Sequence, residues 1–310
     1  MKKLLLFFFT LPGLGVFAQQ DALFSQYLFN MLVINPGYSG SRNVLSTTAC
    51  YRYQWVDVPG APRTLTVSAH TPLRNKNVAL GLYAFNDELG PLSDWGITGN
   101  FAYRIFFNDN NTLAFGIDAG IHRMTVDWSE ANPYHPDDPA IHNLESGRVK
   151  PDANFGIYYF TDRYFIGASS KHLFESTMTV EDVGGNYSFK ALARHFYLTA
   201  GVAFPIGNFL VIKPSALLKY TLNAPINLDV STSFLISKLF WLGASYRTKD
   251  NAVVFFTEIN LSNGFRLGYS YDMSISKFSG YNKGSHEIML NYEFDIYNRR
   301  VIRDLQAPYF

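Results

Sequence analysis

The sequence predicts an all-β fold: an integral outer-membrane antiparallel β-barrel of about 14 strands with a short N-terminal periplasmic or plug segment. Three observations point there. Apolar residues recur with period two along segment after segment, and many segments have the ~9–11 residues that a tilted strand needs to cross a bilayer. After the leader, no apolar run is long enough for a transmembrane helix. The connections alternate between short and long, the asymmetry of periplasmic turns and outer loops.

The chain opens with Met1-Lys2-Lys3, an apolar run through Ala18, and Val16 and Ala18 at the small-residue positions before a cleavage site. That is a secretory signal peptide, residues 1–18. An uncleaved anchor fits worse, because Pro12, Gly13 and Gly15 interrupt a run shorter than the roughly 20 residues of a membrane span. The expected organisation continues with an N-terminal amphipathic segment, 19–45, a transmembrane barrel, 46–296, and a C-terminal periplasmic tail, 297–310.

Composition agrees with a barrel. The chain has 27 Phe and 20 Tyr, 16% charged residues and a net charge of +1. That balance carries no electrostatic footprint for nucleic acid, so the expected surroundings are outer-membrane lipid and protein. Cys50 is the single cysteine, so no internal disulfide framework is available to an exported chain.

Strands are expected near 46–56, 63–71, 77–86, 94–107, 111–127, 154–161, 163–170, 195–205, 209–221, 226–236, 239–248, 251–261, 264–273 and 285–296. In "RTLTVSAH", Leu65, Val67 and Ala69 share a face against Thr64, Thr66 and Ser68; in "GITGNFAYRIFF", Ile97, Phe101 and Tyr103 oppose Thr98, Asn100 and Arg104. Near the end, Ile288, Leu290, Tyr292 and Phe294 oppose Glu287, Asn291 and Glu293, and Phe294 reads as the strand end. A soluble sandwich would also alternate, but here one face is almost free of charge while the other is Gly, Thr, Ser, Asn and scattered ions. Lipid outside and a polar interior impose that pattern.

If the first strand runs outward, the inner turns are "PLRNKN", "NDN", "TD", "IGN", "SK" and "SNG", all short and rich in turn-forming residues. The outer connections include "NDELGPLSD", 128–153, 171–194 and "SISKFSGYNKG". Trp55, Trp95 and Trp128 lie beside outer connections, where amphipathic rings favour the membrane interface.

Candidate chemistry is sparse. Ser285, His286 and Glu287 are the types of a hydrolytic triad, but consecutive strand residues point to opposite faces, so His286 faces away from both neighbours. His135, Asp137, Asp138, His142 and Glu145 cluster in an outer connection without the spacing of a calcium or zinc site. No catalytic set, metal site or cofactor motif is expected. Arg104, Asp118, Glu258, Arg266, Asp272 and Glu293 are read as polar residues of the barrel interior, pairing or holding a plug.

"DALFSQYLFNML" places Leu23, Tyr27 and Met31 on one helical stripe with Phe24 and Leu28 beside it, Asp21 as a cap and Asn35-Pro36-Gly37 as a breaker. This spacing predicts a short amphipathic helix and a turn. Such a helix could sit in the periplasmic mouth, cover the first strand or bind a partner.

Several blocks in order between residues 20 and 296 resemble the PorP/SprF outer-membrane proteins of the type IX secretion system: "FSQYLFN" with "NPGYSGS", "YRYQW" followed by "GAPRT", "RHFYLTAG", "KPSALLK", "GYSYD" and "GSHEI". The resemblance implies a non-catalytic barrel that assists delivery or surface attachment of an exported protein, its client, together with secretion or gliding components. It would place the signature residues Phe24, Ser25, Gln26, Tyr27, Asn35 and Pro36 on the periplasmic side as candidate partner contacts, and the tail "NRRVIRDLQAPYF" with them. The outer connections 128–153 and 171–194 are candidates for holding the client. A passive channel for small solutes and an outer-membrane hydrolase are the competing readings.

Overall fold

The computed structural model describes residues 22–127, 147, 149–182, 185–222, 224–261 and 263–297. The leader, Trp128, the cluster from His135 to Glu145 and the tail beyond residue 297 lie outside the described residues.

Period-two segments become strands β1 (Leu45–Tyr53), β2 (Arg63–Pro72), β3 (Val78–Leu89), β4 (Leu92–Phe106), β5 (Thr112–Val126), β6 (Val149–Phe160) and β7 (Tyr164–Lys171). There follow β8 (Ser176–Asp182), β9 (Gly185–Leu192), β10 (His195–Val202), β11 (Phe204–Ile206), β12 (Leu210–Thr221) and β13 (Asn227–Ile236). The last four are β14 (Phe240–Arg247), β15 (Ala252–Asn260), β16 (Phe265–Ser274) and β17 (Ser285–Phe294). β1 pairs antiparallel with both β2 and β17, and β10 bridges β7 and β12. β11 continues β10 beyond Ala203 along β12, so the two make one interrupted strand and the barrel closes with fourteen. β8 and β9 pair only with each other, as a hairpin inside the predicted connection 171–194.

Closure pairs each of the fourteen barrel strands with a neighbour on either side, which backbone polar groups in hydrocarbon require. The described residues contain no helix long and apolar enough to cross a membrane; the strands make the crossing. The outward face is a belt of exposed apolar side chains, among them Leu82, Phe101, Ile117, Leu198, Leu242, Phe255 and Leu290. The inward neighbours Thr98, Asn100, Asp118, Thr199, Ser231, Ser270 and Asn291 are buried.

The connections at 73–77, 107–111, 161–163, 207–209, 237–239 and 261–264 share one end, the short-turn end. Ser237 and Lys238 both have positive φ, the geometry of a primed hairpin turn whose twist matches the flanking strands. The opposite, long-loop end carries 54–62, 172–194 and 275–284, the last with a 3-10 helix at Lys277–Tyr281.

Two predicted boundaries shift. "NDELGPLSD" is not a loop: Leu89 pairs with Leu92 across Gly90-Pro91, and Gly90, at φ +54°, takes the left-handed position of a tight hairpin turn. β6 begins at Val149, inside the connection expected to run to 153. β17 ends at Phe294, as its alternation predicts.

The N-terminal segment also departs from expectation. Instead of an amphipathic helix it forms a turn at 27–29 and two 3-10 turns, Met31–Val33 and Pro36–Tyr38. Every residue from 24 to 42 is buried. An amphipathic helix needs one face in water, and here the barrel wall surrounds the segment on all sides. Most of its amides close short turns within the segment, those of Ser25, Gln26 and Gly40 turn to wall side chains, and Asn35 before Pro36 is extended, at φ −143° and ψ 109°, as the residue before proline prefers.

Candidate functional site

The segment fills the lumen. Ala22 and Phe24 lie at the long-loop end beside Asp94, Asp152, His172 and His195. The backbone N–H groups of Ser25 and Gln26 donate to the two carboxylate oxygens of Glu287, at 2.8 and 2.9 Å. Lower down, Ser68 Oγ donates to Asn30 Oδ1 (3.1 Å) and Ser169 Oγ donates to the Ile34 carbonyl (2.5 Å). The Gly40 N–H reaches His70 Nδ1 (3.0 Å), and Arg104 donates to Asn43 Oδ1 (2.9 Å) just before β1 starts at the short-turn end. The chain therefore traverses the lumen from the long-loop end to the short-turn end.

This corrects the expected position of the signature residues. Phe24, Ser25, Gln26, Tyr27, Asn35 and Pro36 form no exposed periplasmic patch: all six are buried in the lumen, and the first four lie toward the long-loop end. Ser25, Gln26 and Asn35 bond the wall through Glu287, Asp272 and the Ile157 carbonyl.

The plug shares a small apolar core with inward side chains. Phe29 packs on Trp241 (6.2 Å between centroids) and edge-on to Phe256 (5.8 Å); Tyr38 meets Tyr158 (5.5 Å) and His70 (5.4 Å). Lys213 Nζ sits 3.8 Å over the Trp241 ring. Inward Tyr158, Trp241 and Phe256 interrupt the polar face that simple alternation predicts. Their signal is adjacent aromatics such as Phe240-Trp241 and Phe255-Phe256, which make both faces apolar at once.

Two ionic networks secure the plug. At the long-loop end Arg52 pairs with Asp272 (2.6 Å) and Glu287 (3.1 Å), Arg247 with Asp272 (3.3 Å) and Asp229 (3.5 Å), and Lys219 with Asp229 (2.8 Å). Ser25 Oγ lies within this network, accepting from Arg52 (2.7 Å) and donating to Asp272 (2.7 Å). At the short-turn end Arg42 of the plug pairs with Glu293 (2.5 Å), which also meets Arg266 (3.1 Å), itself paired with Glu258 (3.2 Å). Buried charges persist only when paired and hydrogen-bonded, which both networks supply. The predicted interior residues Arg104, Asp118, Glu258, Arg266, Asp272 and Glu293 all point into the lumen; Glu258, Arg266, Asp272 and Glu293 belong to these networks, while Arg104 bonds Asn43 and Asp118 accepts from Asn154 Nδ2 (2.6 Å). Arg42 and Arg52 were not picked out as interior residues, although Arg52 alternates with outward Tyr51; Glu287 was read on the polar face of the last strand but not as a plug contact.

Asn35 and Pro36 sit on a glycine cradle. Gly116 and Gly156 face each other across β5 and β6, with Gly167 on β7. A Cβ on Gly156 would stand 2.1 Å from Asn35 Oδ1, and one on Gly116 would stand 2.2 Å from the Pro36 carbonyl carbon. Asn35 Nδ2 donates to the Ile157 carbonyl (3.0 Å) while its Oδ1 accepts from Gly37 N–H (2.8 Å). Gly116→Val and Gly156→Val are expected to lift the plug off the wall at about 1–3 kcal/mol each. Trypsin cleavage after Arg42, absent in the native protein and present in the variants, checks this; unchanged protection would contradict the cradle.

At the long-loop mouth, Val56 N–H donates to the Gly284 carbonyl (2.8 Å) and Lys283 N–H to that of Val56 (3.0 Å), joining the 54–62 and 275–284 connections. Trp55 meets Phe278 edge-on at 5.3 Å, and Tyr281 is 77% exposed. The neighbouring Asp57 carboxylate holds the Lys283 ammonium above its usual range. Ser285 and Glu287 point inward, while His286 bonds the Tyr269 hydroxyl on the outer face (2.7 Å), so the three do not converge.

A closed fourteen-strand barrel with an apolar belt, a polar lumen and an internal plug is an integral membrane barrel of the outer-membrane type. Residues 16–292 match the family model described as type IX secretion system membrane protein PorP/SprF, and the chain belongs to that family. No curated protein matches its sequence. Among solved structures it is similar to the toluene transporter TbuX of Ralstonia pickettii, at 12% identity and a TM-score of 0.50, covering 86% of this chain and 93% of that one. The CymD monoaromatic hydrocarbon channel is similar at 14% identity and a TM-score of 0.50, covering 91% and 96%. At such identity these similarities show the fold alone.

Proposed function

We propose that this PorP/SprF-family barrel is a non-catalytic accessory of type IX secretion that binds an exported protein and assists its delivery or surface attachment. In this reading the signal peptide, residues 1–18, is removed on export, the short-turn end faces the periplasm and the long-loop end faces the cell surface. The observation that carries it is the plug. Among the described residues, the lumen is occupied by residues 24–42, which bond the wall at both ends and stand in the way of a straight path for small solutes. That disfavours the passive-channel reading and leaves the long-loop surface as the working face.

The connection 171–194, with its hairpin, and the connection 128–153 are the client-holding elements of this proposal. Deleting either one is expected to remove most client from the cell surface while the barrel still inserts. Surface labelling of exported proteins, alongside the heat-modifiable gel mobility of the barrel, reads both. Undiminished client display after both deletions would sink the assignment.

A further inference from the structure

The lumen wall changes character at the long-loop mouth. Beyond the ionic layer of Arg52, Asp272 and Glu287, the next inward residues of the same chain segments are Gln54, Ser274 and Ser285, which hydrogen-bond but carry no charge. These three line a cavity of about 400 Å³ together with Trp55 and Phe278. That volume lies within the ~300–1,000 Å³ of small-molecule sites, whose usual lining is aromatic with a few polar groups. The charges beneath it are settled. Arg52 is held by Asp272 (2.6 Å) and Glu287 (3.1 Å), and Arg247 by Asp272 (3.3 Å), Asp229 (3.5 Å) and Asp250 (3.6 Å). The lining itself holds two arginines and two aspartates, so neither a cation nor an anion meets an unpaired counter-charge there. Several neutral groups are spent on fixing the loop. Ser276 Oγ accepts from the Phe278 N–H (3.2 Å) and meets Ser274 Oγ (3.0 Å), while Asn282 donates to the Phe278 carbonyl (2.7 Å) and accepts from the Gly284 N–H (2.9 Å). Two neutral groups remain open. The Gln54 carboxamide has no hydrogen-bond partner among the described residues, although Gln54 is only 9% exposed. Ser285 Oγ accepts from the Trp55 N–H (3.1 Å), which leaves its own proton to donate.

From this we infer that the cavity is a binding site for a neutral sugar. A pyranose ring has an apolar C–H face and a rim of hydroxyls that both donate and accept. Its face lies on Phe278, which is 37% exposed and braced edge to face by Trp55 at 5.3 Å. Its rim meets the Gln54 amide, which offers donors and an acceptor, and the Ser285 hydroxyl. An ionic ligand would lose its hydration without gaining a counter-charge, which costs more than a neutral hydroxyl loses. The backbone bonds between Val56 and Gly284 and between Lys283 and Val56 tie the two aromatic loops together, so the rings are set before a ligand arrives. The site goes beyond the client-binding reading and does not depend on it.

The test is calorimetric titration of the purified full chain in an amine-oxide detergent, since the headgroup of a maltoside detergent is itself a sugar. The probes are the methyl glycosides of glucose, mannose and galactose, with acetyl-Gly-Gln-Gly-amide as a neutral peptide. At least one glycoside is expected to saturate a single site. Gln54→Ala and Phe278→Ala are each expected to weaken that glycoside about tenfold, the loss of one hydrogen bond or one ring contact, while the barrel keeps its heat-modifiable mobility. No saturable binding of any of the three glycosides, binding indifferent to both variants, or tighter binding of the peptide than of every glycoside would overturn the site. Retention of an exported protein by the wild-type chain decides the client-binding reading separately, so the two fail independently.

Discussion

Deletion of residues 22–42, with the signal peptide retained, is expected to turn a non-conducting barrel into a conducting one. These residues occupy the lumen throughout, and wall side chains that bond them would be left facing water: Glu287, Asp272, Ser68, Ser169 and Glu293. Fourteen strands enclose an interior wide enough for a water path once unfilled. The wall keeps its full ring of backbone hydrogen bonds without the plug, because the deleted residues belong to no strand. Planar-bilayer recording of the purified protein checks this. Silent wild type and open deletion channels are expected; wild type conducting as well as the deletion would show that the segment does not close the lumen. The Gly116→Val/Gly156→Val double variant provides the same readout with all plug residues present, through partial opening.

The second large effect is expected at Arg52, which is 2% exposed in its side chain and bonds Asp272, Glu287 and Ser25 Oγ together. Arg52→Met removes the cation hydrogen-bonded to Glu287, beside the two plug amides, and strips Asp272 of its shortest partner. Removing one member of a buried ion pair costs about 3–5 kcal/mol, because the partner charge stays buried. Replacing Arg52 and Glu287 together with Met and Leu is expected to cost much less, since no uncompensated charge remains from that pair. Urea unfolding of the liposome-embedded barrel reads both variants. A single-variant loss below about 1 kcal/mol, the range of exposed pairs, would mean that the network is solvated rather than sealed by the plug.

The barrel was legible because lipid acts on single residues. Each outward position, such as Phe101, Ile117 or Leu290, must be apolar, and the repeat survives even where turns are ambiguous. The side of the longest connections followed from their length. The hairpin at Gly90-Pro91 was not legible, because β3 and β4 run beyond the apolar belt with polar residues such as Asp87, Glu88 and Ser93, which read as a loop.

The plug was misread for a different reason. Leu23, Tyr27 and Met31 do fall at helical spacing, but Phe24, Leu28, Phe29, Leu32 and Val33 make the segment apolar on every side. All-round apolarity marks complete burial rather than one buried stripe. That the segment occupies the barrel's own interior, with Ser25 toward the long-loop end, depends on pairings more than two hundred residues apart, such as Ser25 with Asp272. The glycine cradle is likewise visible only once Gly116, Gly156 and Gly167 stand side by side beneath Asn35 and Pro36.

In the proposed function a plugged barrel holds an exported protein. Affinity isolation of the tagged chain from native outer membrane under gentle detergent extraction, with quantitative mass spectrometry, tests it most directly. The account predicts an exported surface protein in near-equal amount with the barrel, lost when the 171–194 connection is deleted. Recovery of the bare barrel, together with conductance by the wild-type protein, would contradict it and support a channel.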